Sequence, residues 1–164
     1  MINVEPVWWK VELFTLYQVV SGEMPIRVRL QSALNDPEPY VLLRNLATTP
    51  MVPGAPRLQG IGEGHLSKLS FSAVRSVEEE PPAPDLALEL TRRFIYFQGT
   101  NVTIKASVEV PTGSDPMLHR EMLFKQRFFR VVDATLTVIG SEAPPIQWSS
   151  CYLNRDQLVA LYLG

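Results

Sequence analysis

An all-β protein made of two similar halves is the fold class that this sequence predicts, and three observations predict it. The stretch Tyr40 to Met51, YVLLRNLATTPM, has a second version at Phe128 to Ile139, FFRVVDATLTVI; Asp133 stands where Asn45 stands, with apolar runs on both sides of each. The 14 prolines fall between apolar runs, the pattern of many short strands joined by turns. Several runs alternate apolar and polar residues with the period of two that an extended chain imposes. Each half is expected to be a small barrel-like sheet with one short helical turn. The halves either pack as a pseudo-dimer or complete one larger barrel.

The likeness of the halves extends beyond these stretches. Leu30 precedes Tyr40 by the same interval as Leu118 precedes Phe128. Leu58-Gln59 matches Ile146-Gln147, and Leu66-Ser67-Lys68 matches Leu153-Asn154-Arg155 after a one-residue slip. Val20 to Met24 aligns with Ile104 to Val108 if the second half carries extra residues in Pro111 to Pro116, PTGSDP. A period of roughly 80 residues exceeds that of solenoid repeats and suits a duplicated small domain. Two unrelated β-rich halves are the alternative. The organisation read from this is residues 1–77 as a first β repeat, 78–85 as an acidic, proline-rich linker and 86–164 as a second β repeat.

Taken in order, Trp8 to Val20 reads as one strand covered on both faces, with a bend or bulge at Ser21-Gly22. Arg29 to Asn35 reads as a short helix, because Leu30, Ala33 and Leu34 share a face, and Asp36-Pro37 ends it. Tyr40 to Ala47, Leu58 to Ile61 and Leu69 to Val77 follow as strands, with Val52 to Pro56 as a loop. Val77 to Asp85 is the boundary; its Pro81-Pro82-Ala83-Pro84 reads as a stiff linker or as a polyproline ligand. Leu86 to Phe97 and Val102 to Val110 alternate around the turn residues Gln98 to Asn101, a hairpin signature. Met117 to Phe124 repeats the short helix. Phe128 to Ile139, Ile146 to Leu153 and Gln157 to Leu163 complete the second set of strands.

The order of these elements, with Arg29, Leu30, Leu34 and Asn35 as R-L-x-x-x-L-N, resembles an uncharacterised bacterial family of small β domains. Phe129, Val132 and Ala134 approximate that family's F-x-x-L-x-x-A strand, and Asn154-Arg155 fits the opening of its last strand. Gln31 and Ser32 depart from its Ser-Asp, and the second helix lacks the Arg-Leu start and the final Asn. The resemblance implies a β fold and no known activity. A more distant likeness, of architecture alone, is to Sm-like barrels.

Composition narrows the function. A net charge of −2 gives the whole molecule no strong pull toward nucleic acid or anionic membrane. One cysteine, Cys151, excludes an intrachain disulfide. No apolar run reaches membrane-spanning length, and the N-terminus has no basic region followed by an apolar core, so a cytoplasmic location is expected. His65 and His119 lie far apart and form no metal-ligand spacing. Cys151, between Trp148 and Leu153, reads as a buried thiol rather than a nucleophile. Gly60 to Gly64 has glycines but neither the lysine nor the helix of a phosphate loop. Asp115, Glu121 and Asp133 are candidate carboxylates that nothing in their spacing brings together.

One charged cluster stands out. Arg120, Lys125, Arg127 and Arg130 are interleaved with Phe124, Phe128 and Phe129. The matching gap in the first half is acidic, Asp36-Pro37-Glu38-Pro39. The expected function is therefore a non-enzymatic binding or assembly module acting on a protein partner or on a second copy, with Arg120, Lys125, Arg127 and Arg130 as the binding residues and no cofactor. The alternative is a single-stranded nucleic-acid binder of Sm-like or OB-like build, since basic groups beside aromatic rings hold phosphates and stack bases. Trp8 and Trp9 are read as a core plug or a docking patch.

Overall fold

Thr15 makes the first turn where no glycine or proline is present. Its hydroxyl accepts from the Gln18 N–H at 3.1 Å and donates to the Gln18 carbonyl at 2.6 Å. The apolar run that reads as one strand is thereby folded into a hairpin, β1 (Val7–Thr15) and β2 (Gln18–Ile26). The structure, a computed structural model, describes residues 5–78, 80 and 89–164. After β2 come α1 (Leu30–Leu34), β3 (Tyr40–Pro50), β4 (Ile61–Ser67) and β5 (Phe71–Ser76). The second set is β6 (Leu90–Gly99), β7 (Val102–Pro111), α2 (Pro116–Lys125), β8 (Phe128–Val138), β9 (Ile146–Asn154) and β10 (Leu158–Leu163), with a 3₁₀ turn at Arg155–Gln157.

The protein is predominantly β. Among the described residues ten strands form one antiparallel sheet in the order β10-β6-β7-β8-β9-β5-β1-β2-β3-β4. That sheet is open, which corrects the expectation of barrel closure: β5 pairs with β9 rather than completing a ring within its own half, and β10 and β4 remain as the two edges. Two strand boundaries also differ from the sequence reading. The break between β1 and β2 was hidden because a threonine hydroxyl supplies the turn. The expected strand at Leu58 to Ile61 is displaced to β4, where Gly62 and Gly64 lie in a strand held by its pairing with β3. The linker 78–85 lies mostly outside the described residues; within it Glu78 is exposed and Glu80 half-buried.

The pairing registers of β1 to β5 recur in β6 to β10. Val7↔Ile26 is matched by Thr91↔Val110, and Val20↔Thr48 by Ile104↔Leu136. Tyr40↔Ser67 is matched by Phe128↔Asn154, and Leu13↔Val74 by Phe97↔Leu161. Hydrogen bonds outside the ladders recur as well: Lys68 N–H to the Pro39 carbonyl and Arg155 N–H to the Arg127 carbonyl, Met51 to Tyr17 and Ile139 to Asn101.

The bends recur too. β2 and β3 slip register between Ser21 and Glu23, as β7 and β8 do between Lys105 and Ser107. Opposite each slip stands a residue with left-handed backbone, Asn45 at φ 52° and Asp133 at φ 51°; Asn and Asp tolerate that region better than other non-glycine residues. At Gly22 a Cβ would come within 3.2 Å of the Arg44 carbonyl, so glycine lets β2 approach the bend closely.

Two buried clusters flank the centre of the sheet, and each borrows from the other half. Phe14 and Ala73 pack with the β6–β9 residues Ile95, Val108, Phe129 and Trp148. Phe128 and Tyr152 pack with Leu13, Leu30, Leu43 and Phe71. The rings of Phe71 and Phe128 stack at 5.5 Å. No helix among the described residues is long and apolar enough to cross a membrane.

Candidate interaction surface

The sequence-predicted basic residues are split by the fold. Arg120 and Lys125 lie on α2 and are exposed; among the described residues neither takes part in an ion pair. Arg127 is half-buried and pairs with Asp156 at 2.6 Å, and Arg130 pairs with Glu109 at 3.4 Å. Their charge is thus largely answered within the chain. The aromatic residues between them also divide: Phe128 and Phe129 are buried in the two clusters, and only Phe124 is exposed. Two of the three rings expected beside the cations are therefore unavailable to stack on a base.

The other candidates are dispersed. Asp115 caps α2 by accepting from the Met117 N–H at 2.9 Å, Asp133 pairs with Arg92, and Glu121 is exposed on α2. His65 is on the edge strand β4, while His119 is on α2, where burial and then Arg93 hold its imidazole below the usual range. Cys151 is buried, and burial pushes its thiol up to about 12, so it is protonated at neutral pH. Trp8 and Trp9 are half-buried; the Arg44 guanidinium lies 4.0 Å over the Trp8 ring, and Trp9 packs against the cluster that holds Leu13, Leu43 and Phe71. A shallow groove of about 250 Å³ is lined by Lys10, Glu23 and Asn45. Asn45 donates to Glu23 at 2.5 Å in that groove and holds its carboxyl below the usual range.

What the structure does concentrate is the junction of β5 with β9. Two residue pairs align there, Ala73↔Leu153 and Val74↔Tyr152. Side chains reinforce this short ladder. Asn35, just after α1, imitates a strand neighbour: its amide accepts from the Phe128 N–H at 2.8 Å and donates to the Phe128 carbonyl at 3.0 Å. Buried Asn154 donates to the carbonyls of Lys68 and Phe71 at 2.5 and 2.9 Å. Asn101, in the β6–β7 turn, donates to the Leu16 carbonyl at 2.8 Å in the β1–β2 turn. Arg75 of β5 lies 5.3 Å over the Trp148 ring of β9. Glu80 accepts from the Leu30 N–H at 3.2 Å and from the Tyr152 hydroxyl at 2.5 Å; burial, then that carboxylate, raise the Tyr152 pKa.

None of these junction residues was marked as a site by the sequence, although Asn35 and Asn154 both belong to motifs it contains. Their signal was a polar amide closing an apolar run, which reads as a cap or a strand end when the partner strand is unknown. No protein-family model, curated protein or solved structure matches the chain.

Proposed function

We propose that this protein is a non-enzymatic binding or assembly module acting on a protein partner, built by internal duplication of a small five-stranded β unit. The observation that carries this reading is the recurrence of registers, bends and accessory hydrogen bonds between β1–β5 and β6–β10. Under it, the β5–β9 junction is an association between two like units that share one chain. Buried Lys68 and Asn154 and half-buried Asn35 support this scaffold, since each bonds a backbone carbonyl.

The positive charge of α2, Arg120 and Lys125, which enters no ion pair among the described residues, is the part of the expected basic face left for an acidic partner. Exposed ion pairs contribute only about 0–1 kcal/mol each, so such a contact also needs apolar surface, which Met117 and Phe124 offer on the same helix. Fluorescence anisotropy with an acidic peptide and a mixed-sequence oligonucleotide tests the reading. Peptide binding that is lost in the Arg120→Glu/Lys125→Glu variant is expected. Tighter binding of the oligonucleotide, with steep salt dependence, overturns it in favour of nucleic acid. Binding of neither overturns the acidic-partner reading.

A further inference from the structure

The two edges of the sheet are the counterparts of the two strands that meet at its centre. β10 takes the place in the second half that β5 takes in the first, because Leu161 pairs with Phe97 as Val74 pairs with Leu13. β4 takes the place in the first half that β9 takes in the second, because Ser67 pairs with Tyr40 as Asn154 pairs with Phe128. Among the described residues β4 pairs only with β3, and β10 only with β6. The strand type that β5 finds in β9 is therefore offered at one end of the sheet, and its complement at the other.

Burial follows the same logic. Phe128 and Trp148, beside the internal junction, are buried, whereas their counterparts Tyr40 and Ile61 are 58% and 37% exposed. Ser72 is fully buried in β5, and its counterpart Val159 in β10 is 63% exposed. The sequence of β10, LVALYL, has no charge and no proline. Natural edge strands are usually blunted by such residues, because bare N–H and C=O groups recruit another strand. An unblunted apolar edge is accounted for when a strand covers it.

We propose that β10 of one molecule pairs antiparallel with β4 of a second copy of this chain, repeating the β5–β9 junction between molecules. The register follows from the internal template: Ala73↔Leu153 becomes Ala160↔Leu66, and Val74↔Tyr152 becomes Leu161↔His65. The contact joins different surfaces, so it propagates head to tail and produces a closed ring or an open filament. This inference rests on the duplication reading and is independent of the α2 face.

Directly opposed residues of an antiparallel pair have Cα atoms about 4.5–5.5 Å apart, within the range a disulfide spans. Chains carrying Leu66→Cys and Ala160→Cys separately, mixed and oxidised, should therefore give a covalent pair of twice the 18.5 kDa chain mass. Either variant alone should not, and a chain carrying both should give a ladder of multimers or a single closed species. As a second reading that leaves the core untouched, light scattering of the native chain should show mass rising with concentration. Val159→Lys should return it to monomer, while Arg120→Glu/Lys125→Glu should leave the mass unchanged. A native chain that stays at 18.5 kDa at all concentrations, with no cross-link on mixing, overturns the proposal even if the acidic peptide binds. Multimers without peptide binding remove only the α2 reading.

Discussion

Lys68 is fully buried, yet its counterpart Arg155 does the same work at the surface. Each sends a cation to a backbone carbonyl just past or at the end of a helix, Lys68 to Asp36 at 2.8 Å and Arg155 to Phe124. Burial lowers the Lys68 pKa, and the Asp36 carboxylate opposes that shift. Removing a buried, charge-assisted hydrogen bond costs about 1.5–3 kcal/mol, and an exposed ionic contact less than about 1 kcal/mol. Lys68→Ala is thus expected to lower the urea midpoint clearly, and Arg155→Ala to shift it little. Cys151 gives a second test, in alkali. Its thiol ionises near 9.0 when unfolded and at about 12 when folded. Between those values the unfolded chain releases a proton that the folded chain keeps, so stability is intact below pH 9 and falls as pH rises. The full swing is on the order of 4 kcal/mol, at about 1.36 kcal/mol per pKa unit. Tyr152 acts with the same sign and Lys68 with the opposite one. Cys151→Ala should therefore flatten the decline of the urea midpoint between pH 9 and 11; an unchanged slope would show that the thiol does not drive it.

Among the elements, the junction ladder has only two aligned pairs, and Asn35 adds a further tie between the halves through both backbone groups of Phe128. Asn35→Ala leaves both backbone groups of Phe128 without their partner in a half-buried place, which is expected to cost about 2 kcal/mol. The nearby Gln31–Gln126 bond is exposed, so Gln31→Ala should change little by the same thermal-melting assay. This is also the scale at which the sequence was partly legible. The strands Tyr40 to Pro50, Val102 to Pro111 and Phe128 to Val138 follow from their apolar patterns, the first helix from its spacing and the second from its match to the first. Asn45 and Asp133 were visible as polar interruptions, and both mark bends. The β1–β2 turn was not visible, because Thr15 forms it with a side chain common in strands. β4 was displaced because glycines weaken a strand signal that only its partner restores. The basic cluster was legible as charge but not as surface: which arginines are answered depends on Glu109 and Asp156, which lie elsewhere in the chain.

At the scale of the whole molecule, the two halves share their interiors. Phe14 and Ala73 of the first half are buried with Ile95, Phe129 and Trp148 of the second, and Phe128 and Tyr152 of the second half are buried with Leu13, Leu43 and Phe71 of the first. A fragment ending at 78 would lose Phe128 from beside Phe71, and one beginning at 89 would lose Phe14 from beside Trp148. Deleting a buried aromatic ring costs about 3–5 kcal/mol, a large part of the 5–15 kcal/mol that holds a typical domain. Neither fragment is therefore expected to fold alone, the two should regain strand structure when mixed, and the intact chain should melt in one calorimetric transition. A folded isolated half, seen by dispersed amide resonances, would show instead that each half is self-sufficient.

The central junction also sets a timetable for synthesis. β5 is complete at Ser76, but the strand that covers its outer side ends at Asn154, about 80 residues later. At roughly 5–20 residues per second, a ribosome needs about 4–16 s to make that stretch. For those seconds the emerging first half carries β5 with no second neighbour, and Phe71 with no ring to stack on. If the halves are duplicates, its best substitute is β4 of another nascent chain, the counterpart of the β9 strand that covers it in the finished protein. Crowding of ribosomes on one message, or a pause between the halves, would favour exchange of strands between neighbouring chains, and the yield of correctly joined molecules would depend on translation speed as well as on stability.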